Sequence, residues 1–449
     1  MAGGTYKASQ AKVRPGTYVN MKNGQARTPI TSSRGVAILP LIGYDWGDRG
    51  KMIQISAGSP DAHIGELGRS VYDANDFMRM LRLMLMNAAT VYVWIIDGGV
   101  KATKAITIAA SKTMTATAKY KGSLGNTIKI VSVANASSGF DITINFNGEE
   151  VETFEGLATV ADLIAAGSEY VDFTGTGTDA LAAFASTTLA DGADTITGNT
   201  GYTDFLDACE NIRFNCMAWP DSTAALQTAL LTKIKYIRET IGWKCQAVAP
   251  NFAADYEGII NLTNGFVYDD VDLDAAKATA WLAGATAGAD YVTSLTYAQV
   301  VGATGVVGGL SHEQAEAAIL AGKSFFSVAE DGSVILEYDI NSLVSQSDDK
   351  PGNANKNRPL RVYDSWCNDC LTTFVPGRYD NDSDGWTVME GLGRAMLVAY
   401  QEDGAITNVE AEEDFWVDQE KSRGDSTYIV AGLQAVDSAD KYYITTIAR

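Results

Sequence analysis

The sequence predicts a multidomain α/β chain with an inserted all-β module, an α+β region towards the C-terminus and an extended strand-forming arm at each end. Three observations carry this. Strand and helix patterns alternate between residues 201 and 345. Composition changes abruptly at Lys101, where Thr, Ala, Ser and Gly take over. Both termini read as strands that belong to no self-contained unit. At 449 residues the chain exceeds what one core supports, so about two to four domains are expected.

In chain order, Gly4 to Met21 is strand-forming and punctuated by Pro15–Gly16, giving an N-terminal arm over 1–24 that includes Tyr18 and Val19. The next segment, 25–100, opens with apolar runs between Gly and Asp turns (Arg34 to Ile55). A helix follows from Asp73 to Ala88, capped by Asp73, with Phe77, Leu81 and Met84 on one face. Val91 to Ile96 (VYVWII) then reads as a fully buried strand. Residues 101–200 form the inserted β-sandwich-like module, with strands at Thr127–Val133 and Phe140–Phe146. Asn147–Gly148 is a hairpin turn into Glu149–Phe154.

From 201 to 345 strands at Ile212–Met217, Trp243–Val248 and Gly265–Tyr268 alternate with helices at Asp221–Thr240 and Asp274–Ala287, which implies a mainly parallel sheet covered by helices. Ser311 and Gln314 form a capping box, Gly322 stops that helix, and Phe325–Val328 pairs with Val334–Tyr338 across Asp331–Gly332. Ser345 to Lys356 is a polar linker. Segment 346–425 carries helices at Pro359–Val375 and Thr387–Gln401. The arm 426–449 holds two β-runs, Tyr428–Leu433 and Tyr442–Ile447, split by Asp437–Ser438–Ala439–Asp440.

Composition removes several functions. A net charge of −21, from 55 acidic and 34 basic residues, repels nucleic acid and anionic membranes. The N-terminal residues lack a signal-peptide core and no run is long enough to span a bilayer, so neither export by a cleaved signal nor membrane insertion is expected. Five cysteines, few and odd in number, suit reduced thiols in a cytoplasm.

Catalytic motifs fail one by one. Cys367 and Cys370 imitate a redox pair but sit within a helical pattern instead of at its start. Asp380 to Gly385 matches the first half of a calcium loop, yet the bidentate acid is displaced, with Gly391 in its place and Glu390 one residue early. Ala321 to Ser324 resembles the end of a P-loop but closes a helix, and Ala317 replaces the first glycine. The two histidines, His63 and His312, are all that a Ser–His or Cys–His mechanism would have. No cofactor, metal or catalytic residue is expected.

Four stretches resemble the contractile tail sheath family of phages and phage-tail-like bacteriocins. They are Arg14–Asn23 with Arg34–Lys51; Ala118–Ile130 with Gly122, Gly125 and Asn126; Phe374–Ile406; and Val430–Ile447. Trp386 departs from the pattern at a position where a basic residue is expected. The resemblance implies a subtilisin-like α/β middle domain, an outward β-sandwich and a C-terminal domain facing an inner tube. It implies a structural subunit, not an enzyme, that stacks in six-subunit rings and is assembled in a bacterial cytoplasm. Its expected partners are further copies of itself, a tail tube protein, and baseplate and tail terminator proteins.

The arms are expected to add strands to neighbouring copies through Tyr18, Val19, Tyr428, Val430, Leu433, Tyr442 and Ile444, while Arg394, Lys421 and Arg423 are expected to face the tube. Contraction would be a bistable repacking without bound fuel. A surface-layer or capsid-like self-assembling protein, and an α/β hydrolase, are the competing readings.

Overall fold

The chain opens on β1 (Ala2–Gly4) and β2 (Gly16–Tyr18), paired in parallel with Gly4 opposite Tyr18. The structure is a computed structural model that describes residues 2–4, 16–18, 34–345 and 350–447, so Val19 lies outside the described residues. Two units are distinguished. The larger comprises Ser32–Leu371 with Ala435–Arg449, and the smaller comprises Met1–Thr31 with Thr372–Gln434.

The larger unit begins with β3 (Val36–Leu41), β4 (Met52–Ser56), the short α1 (Ile64–Leu67), α2 (Asp76–Leu85) and β5 (Thr90–Ile95). The expected helix starts at Asp76 because Asn75, not Asp73, caps it: Asn75 Oδ1 accepts from Phe77 N at 2.9 Å. The insertion follows as β6 (Lys101–Thr107), β7 (Thr113–Lys121), β8 (Lys129–Ala134), β9 (Phe140–Phe146), β10 (Glu149–Leu157), α3 (Val160–Ala166), β11 (Val171–Thr174) and β12 (Phe184–Thr188). Its two sheets run β10-β9-β8-β12 and β11-β7-β6. Alternating Ile130, Ile142 and Ile144 from one share a core with Met114, Ala116 and Ala118 from the other. The Asn147–Gly148 turn has φ of 50° and 94°, as a two-residue hairpin requires.

The chain then returns through α4 (Thr200–Ala208), β13 (Cys216–Ala218), α5 (Ala224–Lys235), β14 (Gln246–Pro250), β15 (Ile259–Leu262), β16 (Gly265–Tyr268), β17 (Val271–Leu273), α6 (Ala275–Gly288), β18 (Ala303–Val307), α7 (His312–Leu320), β19 (Lys323–Ser324), β20 (Phe326–Val328) and β21 (Val334–Leu336). A seven-stranded sheet runs β19-β15-β14-β13-β3-β5-β4, all parallel except the edge strand β4. It therefore joins 36–95 and 216–324, segments that the sequence separates around the insertion. Strands β13, β14 and β15 are buried throughout, because helices cover both faces. Leu39 and Val93 face α2 and α6, whereas Ile38 and Trp94 face α4 and α5, the two-residue alternation of a strand. Helices α2 and α6 approach closely at Gly284, where a Cβ would stand 2.4 Å from Met84 O.

One expected strand changes role. Gly265–Tyr268 is a strand, but it lies in the antiparallel sheet β17-β16-β18, and the parallel position is taken by Ile259–Leu262. The helix expected over Asp221–Thr240 begins at Ala224 and ends in a π-helical turn, Tyr236–Ile241, closed by Gly242 at φ 92°.

Helix α8 (Asn357–Thr373) is held to the larger unit by buried charge. Arg238 grips Asp364 with two bonds, 2.7 and 2.9 Å, and Arg361 meets Asp339 at 2.6 Å. The residues of this helix up to Leu371 belong to the larger unit.

The smaller unit contains α9 (Ser383–Glu402), α10 (Ala411–Asp414) and the antiparallel pair β22 (Phe415–Val417) and β23 (Ile429–Ala431). Phe415 packs so tightly on α9 that a Cβ on Gly393 would overlap its ring.

Candidate functional site

Apart from the exposed His312, the residues considered for chemistry below are engaged within the fold. Asp382 Oδ1 accepts from Gly385 N at 2.9 Å, so the calcium-like stretch is the start of α9. Trp386 Nε1 donates to Asn381 Oδ1 at 2.6 Å in the same turn. No group of three or more His, Cys, Asp or Glu able to hold a metal occurs among the described residues. Cys367 and Cys370 lie along α8, where burial raises both thiols, Cys370 to about 12, which disfavours the thiolate. His63 Nδ1 lies 2.6 Å from Glu66, whose carboxyl is held below its usual range chiefly by its hydrogen bond from Lys51. His312 is exposed beside Glu316.

The sheet β22–β23 has a different character. Gly432 N donates to Asp414 O at 2.7 Å and Asp418 N to Tyr428 O at 2.8 Å. These bonds fix the phase of the ladder: Trp416 and Val430 turn their backbone groups towards each other, while 415, 417, 429 and 431 turn theirs outward. The outer edge of β22 is sealed by side chains of α9. Arg394 Nε donates to Phe415 O at 3.1 Å, and Val417 N donates to Glu390 Oε1 at 2.9 Å. On β23, the outward groups of Ile429 and Ala431 meet no partner among the described residues. One edge is closed and the other is open.

The two β-runs of the closing arm separate here. Tyr428, Val430 and Leu433 lie in or beside β23, and Val430 pairs with Trp416 of its own chain. The donated run expected over Tyr428–Leu433 is thus, at 429–431, half of an intrachain pair. The second run, Tyr442 to Ile447, and Lys441 before it form no strand and make no hydrogen bond among the described residues. Tyr442, Tyr443, Ile444 and Ile447 are 76, 92, 85 and 80% exposed. Large apolar side chains are thus bared together within one short segment, more than the singly scattered exposure that is ordinary at a surface.

Of the basic residues expected to face a tube, Arg394 is engaged within the chain, by Phe415 O and by Glu412 at 2.5 Å. Lys421 pairs with Asp418 at 2.8 Å and remains largely exposed. Arg423 lies nearby in the β22–β23 connection, its Nε donating to Glu420 O at 3.2 Å. Tyr18 lies in β2.

Three family descriptions match the chain in order: the phage tail sheath protein beta-sandwich domain over 97–194, the phage tail sheath protein central domain over 196–342, and the phage tail sheath C-terminal domain over 349–449. The phage-like element PBSX protein XkdK of Bacillus subtilis (strain 168) is 34% identical, with 99% of each chain covered. The crystal structure of the sheath tail protein from Desulfitobacterium hafniense is 35% identical and covers 96% of this chain and 99% of its own, with a TM-score of 0.82. The helical sheath of the anti-feeding prophage in its contracted state, at 13% identity, 98% and 100% coverage and a TM-score of 0.58, shares the fold.

Proposed function

The chain belongs to the phage tail sheath family, and on that premise we propose that it polymerises around a tail tube by strand donation and contracts to drive that tube through a target envelope. As a sheath protein of contractile systems it is a structural subunit and not an enzyme. Family membership favours this over the surface-layer, capsid-like and hydrolase readings.

The observation that carries strand donation is the pairing of an open edge on β23 with an exposed apolar end at Lys441–Ile447. The open edge takes a strand from a neighbouring copy, and the closed edge of β22 directs it to β23. About five new backbone hydrogen bonds at roughly 1 kcal/mol each give about 5 kcal/mol before ordering costs. The N-terminal arm, with Tyr18 and Val19, contributes in the same manner. Head-to-tail contacts of this kind propagate helically, and we place the subunits in stacked rings of six.

The α/β body, read as subtilisin-like, then serves as scaffold. The partners are the tube protein, approached through Lys421 and Arg423, and the baseplate and terminator proteins. Assembly takes place in the bacterial host cytoplasm before the particle is released.

Ala431→Pro tests the edge. The Ala431 N–H faces away from β22, so proline there spares the intrachain ladder and removes a donor that an incoming strand needs. Purified full-length protein is expected to form hollow tubes of fixed diameter by negative-stain microscopy, and Ala431→Pro to remain in small species. Tubes formed by the variant at wild-type concentration would dismiss β23 as the receiving edge.

A further inference from the structure

The patch Asp437–Ser438–Ala439–Asp440 reads in the sequence as a break between two β-runs, but its two carboxylates are bonded to the body of the chain. Lys356 Nζ lies 2.7 Å from Asp437 Oδ2 and 2.5 Å from Asp440 Oδ2. The Lys356 and Asp440 side chains are only 15% and 8% exposed. Arg358 donates from Nη1 to Val436 O and from Nε to Val292 O, both at 2.7 Å, and so straps the segment to the body. Ala435 N donates to the Tyr363 hydroxyl at 3.4 Å, and Lys356 stands 5.5 Å over the Tyr338 ring. All of this stops at Asp440. From Lys441 to Ile447 no hydrogen bond or ion pair is made among the described residues.

The arrangement has an electrostatic logic. Lys356 immediately precedes α8, where the positive end of the helix dipole makes a poor setting for an ammonium group. Two carboxylates at that point suit both the dipole and the lysine. Burial works against its charge, yet hydrogen bonds to Asp437 and Asp440 hold the Lys356 ammonium above its ordinary range. A pair withdrawn from water in this way is also screened less by salt than a surface pair.

We propose that Lys356 and Arg358 are positioning residues for strand donation: they clasp Val436–Asp440 and fix the point from which Lys441–Ile447 leaves its own subunit. The proposal rests on the reading of Lys441–Ile447 as a donated strand. Its physical basis is the entropy of capture. With the clasp closed, a neighbour orders only the residues beyond Asp440. With the clasp open, Ala435–Asp440 join the loose chain and must be ordered too, each at a cost in backbone freedom.

The test uses full-length protein and the concentration at which tubes appear by sedimentation. Asp437→Asn with Asp440→Asn keeps the shape and removes the charge. The unfolding temperature is expected to fall modestly, because the mostly buried Lys356 ammonium loses its charged partners, and the onset concentration to rise at least tenfold, beyond what that loss of stability accounts for. Lys356→Glu alone is expected to do the same, and Lys356→Glu with Asp440→Lys to recover assembly by restoring the ion pair; a purely structural role for Lys356 would change the onset only in proportion to the change in thermal unfolding. An onset within twofold of wild type for the double Asn protein, or failure of the reversed pair to improve on Lys356→Glu, overturns the clasp. Ile444→Pro, measured alongside, separates the two ideas: if it assembles normally, strand donation by this arm fails and the clasp with it. If it fails to assemble while the double Asn protein assembles normally, the clasp alone is lost.

Discussion

The seven-stranded sheet and the two-stranded sheet of the same chain are built to opposite specifications. In the first, β13, β14 and β15 are buried along their whole length, helices cover both faces, and α8 is fixed alongside by the buried Arg238–Asp364 and Arg361–Asp339 pairs. In the second, each strand has three residues, one edge is sealed by Arg394 and Glu390, and the other is left open. A lone pair of strands is marginal in water, whereas a large covered sheet is self-sufficient. The contrast fits the proposed strand donation: helices cover the large sheet on both faces, and the small sheet has an edge that a third strand would complete.

The sharpest break in that contrast comes from the body's buried charge. Asp364→Ala leaves Arg238, 3% exposed, without its bidentate partner. The expected loss is about 3–5 kcal/mol, read from urea unfolding. A loss below about 1 kcal/mol would mean that α8 is held no more firmly than the small sheet. A smaller effect is expected at Asp76, which ties α2 to α6 through Lys277 at 2.5 Å. Its carboxyl is held below the usual range, first by the hydrogen bond from Lys277 and further by Arg79. The folded pKa therefore lies below the unfolded value of about 3.9. The contribution is fully present above that unfolded value and is lost as pH falls through the folded one. Because the carboxylate is 41% exposed, solvent screening limits it to less than about 1 kcal/mol. Asp76→Asn is expected to flatten the acid limb of stability against pH by that amount and to leave neutral-pH assembly unchanged.

Local chemistry was the legible part of the sequence. Ser311 and Gln314 close the expected reciprocal capping box on α7, because such bonds join residues three apart, whereas the cap of α2 is Asn75 and not Asp73. What the sequence hid depends on distant partners. Ile259–Leu262 is a short apolar run beside the stronger signal of Gly265–Tyr268, and only the sheet decides which of them is parallel. The anchoring of α8 rests on Arg238 and Asp364, 126 residues apart, and the contact of the closing segment on Lys356 and Asp440, 84 apart. Nothing in the periodicity of either segment signals those pairings. The sequence places Arg394 in the C-terminal region, but its bond to Phe415 O depends on where the fold sets β22 against α9.

The last prediction leaves monomer stability almost untouched and bears directly on the small sheet. Ile444 is 85% exposed and unbonded, so Ile444→Pro should change unfolding by no more than about 0.5 kcal/mol. Such a chain can still receive a strand at β23 but cannot donate a sound one. Ala431→Pro has the reverse defect: it donates and cannot receive. If the open edge and the exposed end are complementary halves of one joint, each protein alone stays monomeric through this joint. An equimolar mixture then makes one sound link per pair and stops, because the ends left over are both defective. The expected product is a one-to-one complex by analytical ultracentrifugation, with no tubes. Tubes in the mixture would show that another contact, such as the N-terminal arm, sustains polymerisation unaided. No complex at all would show that the end beyond Asp440 and the edge of β23 are not each other's partners.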